Sequence, residues 1–379
     1  MLEGPWSRRN AYPRKPPFWY LITDRSGAVV ESLRSLRVGR VADVRGWGCL
    51  VTIYRGLRVG VLALSDGGDV LPVTPEDDEA SWQVESTGVP DRYSLIRTAL
   101  DGSQTVASWT VGTGLRWEPP AEPPDERRPT PLPIERVSWP APGGTLEGLL
   151  ATPAGNGPFP LVVFLHGGPW FGLQAGDVGD SAFWISRGAA LLQTDYAGSG
   201  ILGEEMMWEP LRSVGMPDRD LEADGVIEGA QHLVRAGVAD ADRLYIYGFS
   251  AGGYLVNRIV TRPHPFAAAA CWDAVADLRA FTGETRDIQI FFRGCTPEDR
   301  PDLWNGASPM TRPEAVTTEF TIISGGRSNT RQDSAAWHAA LVRAGARVAL
   351  QVYPDEDHVF GPDSYRSVLT RLAEAWRLA

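Results

Sequence analysis

The 379-residue sequence predicts an α/β fold in its larger, C-terminal part, preceded by a small β-rich domain. Three observations carry that prediction. Apolar runs of strand length alternate with helical periods through residues 135–379. One of those runs, 243–247, leads into Gly248-Phe249-Ser250-Ala251-Gly252 and then into a helix-compatible stretch. A proline-rich, charged stretch, 118–134, separates this region from residues 1–117, where only period-two patterning is visible. Near-continuous apolar strands alternating with amphipathic helices imply a mostly parallel sheet covered on both faces.

In order along the chain, 18–23, 28–33, 49–54, 58–63, 81–84, 93–100 and 105–110 read as strands. Asp66-Gly67-Gly68-Asp69 and Asp101-Gly102 mark turns between them. The repetition of strand, turn, strand suits propeller blades of about four strands each. Seven or so strands give at most two blades, which cannot close a ring. Their open edges must therefore be buried otherwise, against the second domain or in a homo-oligomer. The linker is too rich in proline to enter a sheet interior and should run extended. Beyond it, strands are expected at 148–151, 160–165, 189–194, 243–247, 266–272, 320–324 and 346–353, and helices at 221–236, 334–344 and 365–378. Ligands of such folds sit at the carboxyl ends of the strands.

Ser250 is placed at one of those ends. A strand, G-x-S-x-G, helix sequence is what a nucleophile elbow needs, since the turn is so tight that the residues around the serine must be small. The amide of Ala251 then points where an oxyanion would form. A base is expected from His358, after the last strand and before the last helix. His166-Gly167-Gly168 ends another strand, and its glycines let backbone amides approach an oxyanion, with the His166 side chain as a further donor. Trp170, Phe171 and Tyr196 are candidates for a substrate pocket.

These motifs resemble those of the prolyl oligopeptidase family of serine peptidases, on its acylaminoacyl-peptidase and dipeptidyl-peptidase side. The resemblance runs from about Ser138 to the C-terminus. It rests on His166-Gly-Gly-Pro169, Asp195-Tyr-Ala-Gly-Ser-Gly-Ile-Leu-Gly203, Gly248-Phe-Ser-Ala-Gly-Gly-Tyr254, Ala307-Ser-Pro309 and Tyr353-Pro-Asp-Glu-Asp-His358. It implies an α/β-hydrolase domain with Ser250 as nucleophile, His358 as base, an oxyanion hole from Ala251 and the His166–Gly168 turn, and no metal or cofactor.

Three departures stand out. The family's gating propeller has several hundred residues, far more than 1–117 can supply. Ala197 stands where the family has arginine. The triad aspartate expected after the strand at 320–324 is missing, and Asn329 occupies its best-matching position, with Ser328 beside it. An amide cannot stabilise an imidazolium as a carboxylate does. Asp333, if the loop is long, and Asp273, at the end of the preceding strand, are the alternative acids. Asp357 adjoins the histidine but should face away.

The net charge of −11 argues against nucleic-acid or anionic-membrane partners. Lys15 is the only lysine among 36 basic residues. Cys49, Cys271 and Cys295 form no CxxC pair and suggest neither a disulfide framework nor a zinc site. The apolar stretch 18–22 is short for a signal segment, so a cytoplasmic location is expected. The expected function is hydrolysis of an acyl bond, peptide, amide, ester or thioester, in a short peptide or small molecule such as a biosynthetic intermediate. Motivated by the displaced acid, the alternatives are a hydrolase fold acting non-covalently, as a cyclase or tailoring enzyme, and a non-catalytic pseudo-hydrolase.

Overall fold

The computed structural model describes residues 37–378, except 45–46, 67–68, 88, 90–91, 120–131, 169–170, 201, 203–205, 207–213, 217–219, 283–285, 288 and 291–292. It also describes two short strands, β1 (Leu2–Glu3) and β2 (Leu21–Ile22), which pair with each other. The expected strand at 28–33, most of that at 18–23, and most of the linker lie outside the described residues. The chain forms two compact units. One is Met1–Ile134 with Gln174–Val178 and Ile201–Glu204; the other comprises Glu135–Leu173, Gly179–Gly200 and Glu205–Ala379.

In the first unit, β3 (Arg37–Val44), β4 (Gly48–Arg55), β5 (Arg58–Ser65) and β6 (Val70–Pro72) form one antiparallel meander. A second meander is β7 (Ser81–Ser86), β8 (Arg92–Thr98), β9 (Gln104–Thr110) and β10 (Gly114–Trp117). A single parallel pairing, Val59 with Ser81, joins them. Leu50, Val61 and Ala63 of the first meander share a core with Trp82, Leu95 and Trp109 of the second. Gly56 makes the tight connection between β4 and β5 with a φ of 62°, which a two-residue hairpin turn requires there. The strands β3, β6 and β10 were not anticipated. β3 carries three charges and a glycine, and β6 and β10 are only 3 and 4 residues long, so none shows a periodic signal.

The second unit contains β11 (Ile134–Ala141), β12 (Gly144–Ala151), β13 (Phe159–Leu165), α1 (Ser181–Ile185), β14 (Ala190–Thr194), α2 (Leu221–Arg235), β15 (Ala239–Phe249), α3 (Ala251–Val260), β16 (Ala268–Trp272), α4 (Pro301–Gly306), β17 (Glu319–Gly325), α5 (Arg331–Arg343), β18 (Val348–Tyr353) and α6 (Pro362–Ala375). The sheet order is β11-β12-β14-β13-β15-β16-β17-β18. β12 and β14 are antiparallel, and the pairs from β14 through β18 are parallel. All five residues of β14 and of β16 are buried, as strands covered on both faces must be. β16 is a strand despite its run of alanines because burial in the sheet centre overrides their weak β-propensity.

This register builds the site. Leu165 lies opposite Gly248, Phe249 opposite Trp272, Trp272 opposite Ile323, and Gly325 opposite Tyr353. The chain therefore leaves β13, β15, β16, β17 and β18 along one edge of the sheet. Among the described residues no helix is long and apolar enough to cross a membrane.

Candidate active site

Ser250 sits between β15 and α3 with φ 55° and ψ −116°, a strained backbone for a residue with a side chain. Its amide donates to Trp272 O (2.9 Å), and its carbonyl accepts from Tyr254 N (2.9 Å), so the neighbouring strand β16 and the helix α3 hold the turn. A Cβ on Gly252 would collide with the carbonyl oxygens of Leu165 and His166, and one on Gly248 with the backbone of Gly252. That crowding is why the elbow needs glycine on each side of the serine.

His358 follows β18, and its Nε2 stands 3.0 Å from Ser250 Oγ. Its Nδ1 lies 2.5 Å from Asp273 Oδ2. An ionised carboxylate only accepts, so Nδ1 carries the proton and Nε2 is left to accept from the serine hydroxyl. The imidazole packs against Phe249, with ring centroids 4.9 Å apart.

Asp273 is fully buried at the end of β16 and itself has a φ of 48°. Its Oδ1 accepts from Gly325 N (3.1 Å) and Thr330 Oγ1 (2.8 Å), and its Oδ2 from Ser328 Oγ (2.6 Å) as well as from the histidine. Burial alone would push this carboxyl up. The hydrogen bonds from His358, Ser328, Gly325 and Thr330 outweigh it and hold the group below its ordinary value.

The other candidate acids do not reach the histidine. Asp333 is turned inward and accepts from the amides of Ala276 (2.6 Å) and Asp277 (3.1 Å); burial raises its pKa to about 6. Asn329 is exposed on the pocket lining, and among the described residues it has no hydrogen bond to His358. Asp357 accepts from the backbone amide of His358 (2.7 Å), away from the ring nitrogens.

Gly168, at φ 141°, and Ala251 line one cavity with Ser250. The first amides of α3 have no intrahelical acceptor, so Ala251 N–H is directed at that space. Gly167 packs behind, against Phe249 and Ser250. The His166 side chain is not directed at the cavity, contrary to its expected part as a donor. Nδ1 donates to Gly167 O (2.6 Å), and Nε2 meets Ser199 Oγ (3.0 Å) and Asp195 Oδ1 (3.2 Å). Tyr196 stacks on that ring at 4.6 Å and donates its hydroxyl to His166 O (3.0 Å), bracing the turn from the pocket wall. Phe171 is 68% exposed and does not line the cavity, a correction to its expected place. Trp170 lies outside the described residues. Among the described residues no group of three or more His, Cys, Asp or Glu could hold a metal ion.

The cavity has a volume of about 620 Å³. Much of its wall is apolar: Val214, Tyr254, Leu255, Val275, Leu278 and Phe281. Besides Asp273, Arg327 and Asp357, its lining includes the charged side chains of Glu222, Arg258 and Arg293, none of which shows a motif in the sequence. Arg258 is 3% exposed and bonds both Asp220 and Glu222. Burial would lower its pKa, but the two carboxylates outweigh that and raise it. Glu222 is raised by burial, with Arg258 opposing.

The prolyl oligopeptidase family model matches residues 178–378, which include Ser250, Asp273 and His358. The chain belongs to the prolyl oligopeptidase family. Within the family, acylamino-acid-releasing enzyme 1 of Oryza sativa subsp. japonica is 31% identical over 218 residues, which are 52% of this chain and 27% of that protein. Dipeptidyl peptidase 4 of Felis catus is 27% identical over 212 residues, 53% of this chain and 26% of that protein. The chain thus spans about a quarter of the length of the curated relatives it matches. The fold is that of Porphyromonas gingivalis dipeptidyl peptidase 4, with a TM-score of 0.79 at 20% identity over 94% of this chain and 52% of that one. Against the family's pattern, the loop after β17 carries no carboxylate on the histidine. It carries the donors Ser328 and Thr330, which clasp an acid supplied by β16.

Proposed function

We propose that this chain is a serine hydrolase that cleaves an acyl bond, peptide or amide by preference, through an acyl-enzyme on Ser250. The observation that carries the proposal is the hydrogen-bonded series Ser250–His358–Asp273, at 3.0 and 2.5 Å, opening on one cavity. His358 takes the hydroxyl proton as Ser250 Oγ attacks the carbonyl. The buried Asp273 carboxylate stabilises the imidazolium that forms. The amides of Ala251 and Gly168 receive the developing oxyanion. His358 then returns the proton to the leaving amine, and water repeats the sequence on the acyl-enzyme. A carboxylate on His358 leaves the non-covalent alternatives without the observation that motivated them.

The cavity volume of about 620 Å³ suits a short peptide or a comparably small molecule, including a biosynthetic intermediate. A cytoplasmic compartment is part of the same reading, supported by the small number and wide spacing of the three cysteines, which form no CxxC pair. Pairing of two copies through the outer edges of β3 or β10 is part of the same proposal, and light scattering would remove it by returning a stable monomer at low concentration. The test of function is a fluorophosphonate probe applied to wild type, Ser250→Ala and His358→Ala. Labelling confined to the wild type supports the proposal, and a folded wild type that stays unlabelled refutes it.

A further inference from the structure

Arg293 presents a charge to the cavity that no carboxylate among the described residues pairs with. It is 9% exposed and lines the same space as Ser250. Its Nη1 donates to Val214 O (3.2 Å), and its guanidinium carbon lies 5.4 Å from the centroid of the buried Trp304 ring. These contacts fix the head group. The Nε is buried and has no hydrogen-bond partner among the described residues. A buried guanidinium left short of acceptors is costly unless a ligand completes it.

The neighbouring charges are committed elsewhere. Glu222 feels the Arg293 charge, but its hydrogen bond is with Arg258, which also holds Asp220. Arg327, also on the lining, is 65% exposed at its side chain and pairs with Asp355. Asp273 holds His358. The wall around Arg293 is otherwise largely apolar, from Val214, Leu278 and Phe281, with Gln289 as a neutral polar member of the lining. A cation set in such a wall selects by charge, because a neutral group placed there would leave the guanidinium unpaired.

We propose that Arg293 makes this cavity specific for substrates whose acyl side carries a carboxylate, as an aspartyl or glutamyl residue immediately before the scissile bond does. The acyl side is favoured because it stays attached to Ser250 while the leaving group departs, so it needs a walled site. Tyr254 and Arg258, one and two turns along α3 from Ser250, form part of that wall. The inference rests on the serine-hydrolase proposal and adds the substrate class.

The test compares acetyl-glutamyl and acetyl-glutaminyl coumarylamides, which differ in charge but hardly in size. Wild type should favour the glutamyl substrate in kcat/KM by about tenfold or more, as expected of a buried charge-assisted pair. In Arg293→Met the ratio should fall to about one, and Arg293→Lys should retain a preference above one. A wild-type ratio of one or less overturns the inference, as does a preference that survives Arg293→Met. So does a preference that follows a glutamate moved to the leaving side, in acetyl-alanyl-glutamate. If Arg293→Met fails to fold, the wild-type ratio and Arg293→Lys decide. If fluorophosphonate does not label Ser250, the hydrolase proposal fails separately. Calorimetry with N-acetylglutamate amide and N-acetylglutamine amide then reads the pocket without turnover, and equal binding of the two would overturn the assignment.

Discussion

Ser328 Oγ donates to Asp273 Oδ2 at 2.6 Å, and that same oxygen receives the His358 Nδ1 proton at 2.5 Å. The loop after β17 thus orients the acid instead of supplying it. A carboxylate at the end of β16 serves a histidine that follows β18 because the intervening loop closes over it with two hydroxyls and an amide.

Removing the charge should therefore be felt at Asp273 and much less at Asp333. Asp273→Asn is expected to lower kcat by about 10⁴-fold, the loss typical of a triad aspartate. Asp333→Asn should lower it far less, since that side chain holds the amides of Ala276 and Asp277 and not the histidine. Steady-state kinetics of the two variants on one activated substrate checks this, and equal losses would reassign the acid.

Ser328→Ala and Thr330→Ala should each destabilise the fold by about 1.5–3 kcal/mol, the range for hydrogen bonds to a charged group. Each should also reduce kcat more than it changes KM, because Asp273 would hold the imidazole less firmly. Urea denaturation beside kinetics tests both effects. A variant that loses stability with no change in kcat would confine the loop to a structural part.

Asp333 sets a pH dependence of stability. Its folded pKa of about 6 lies above the ordinary carboxylate value of 3.8. A raised folded value means that the stabilising contribution is full below the unfolded pKa and is lost as pH rises through 6. A displacement of that size is worth about 3 kcal/mol between pH 4 and pH 7. Asp333→Asn does not titrate, so its stability relative to wild type should improve by that order across the window. Thermal melts of both proteins at pH 4, 5, 6 and 7 would show it, and parallel curves would exclude it.

Gly252→Ala should cripple the elbow. The new methyl group would meet the carbonyl oxygens of Leu165 and His166, which belong to a buried strand end and the turn beyond it and cannot yield. A loss of about 3 kcal/mol or more is expected, with loss of fluorophosphonate labelling, since any shift moves Ser250 from His358. A normally stable, fully labelled variant would contradict this.

Arg258 and Glu222 form a buried pair whose disruption should exceed any surface ion pair. Arg258→Met leaves Asp220 and Glu222 without their shared cation, and breaking such a pair typically costs about 3–5 kcal/mol. Adding Glu222→Gln should recover part of the loss. A double-mutant cycle by urea denaturation measures the coupling, which should exceed about 1 kcal/mol.

Much of the second unit was legible in the sequence because its signals are local. The expected strands at 160–165, 243–247 and 320–324 fall within β13, β15 and β17, since fully buried strands need unbroken apolar runs. The expected helices overlap α2, α5 and α6. β11 carried no such signal, because a strand of the sheet edge reading Ile-Glu-Arg-Val-Ser-Trp-Pro-Ala has no clear alternation. In the first unit, the strands with alternating apolar residues were visible and the short or charged ones were not.

The sequence by itself determined the α/β class, the elbow at Ser250, the glycine turn at Gly167–Gly168 and the histidine after the last strand. Each is a short-range requirement: a tight turn admits only small residues, and a buried strand only apolar ones. Tertiary structure alone decided which carboxylate meets His358, and which cations enter the cavity wall. Asp273 and His358 are 85 residues apart, and only the pairing of β16 with β17 and of β17 with β18 brings them to 2.5 Å. Asp333, closer in sequence to the histidine, is drawn into the fold by two backbone amides. Chain spacing carries no record of which hydrogen bonds a carboxylate will find once the strands are in register, and so it could not choose between them.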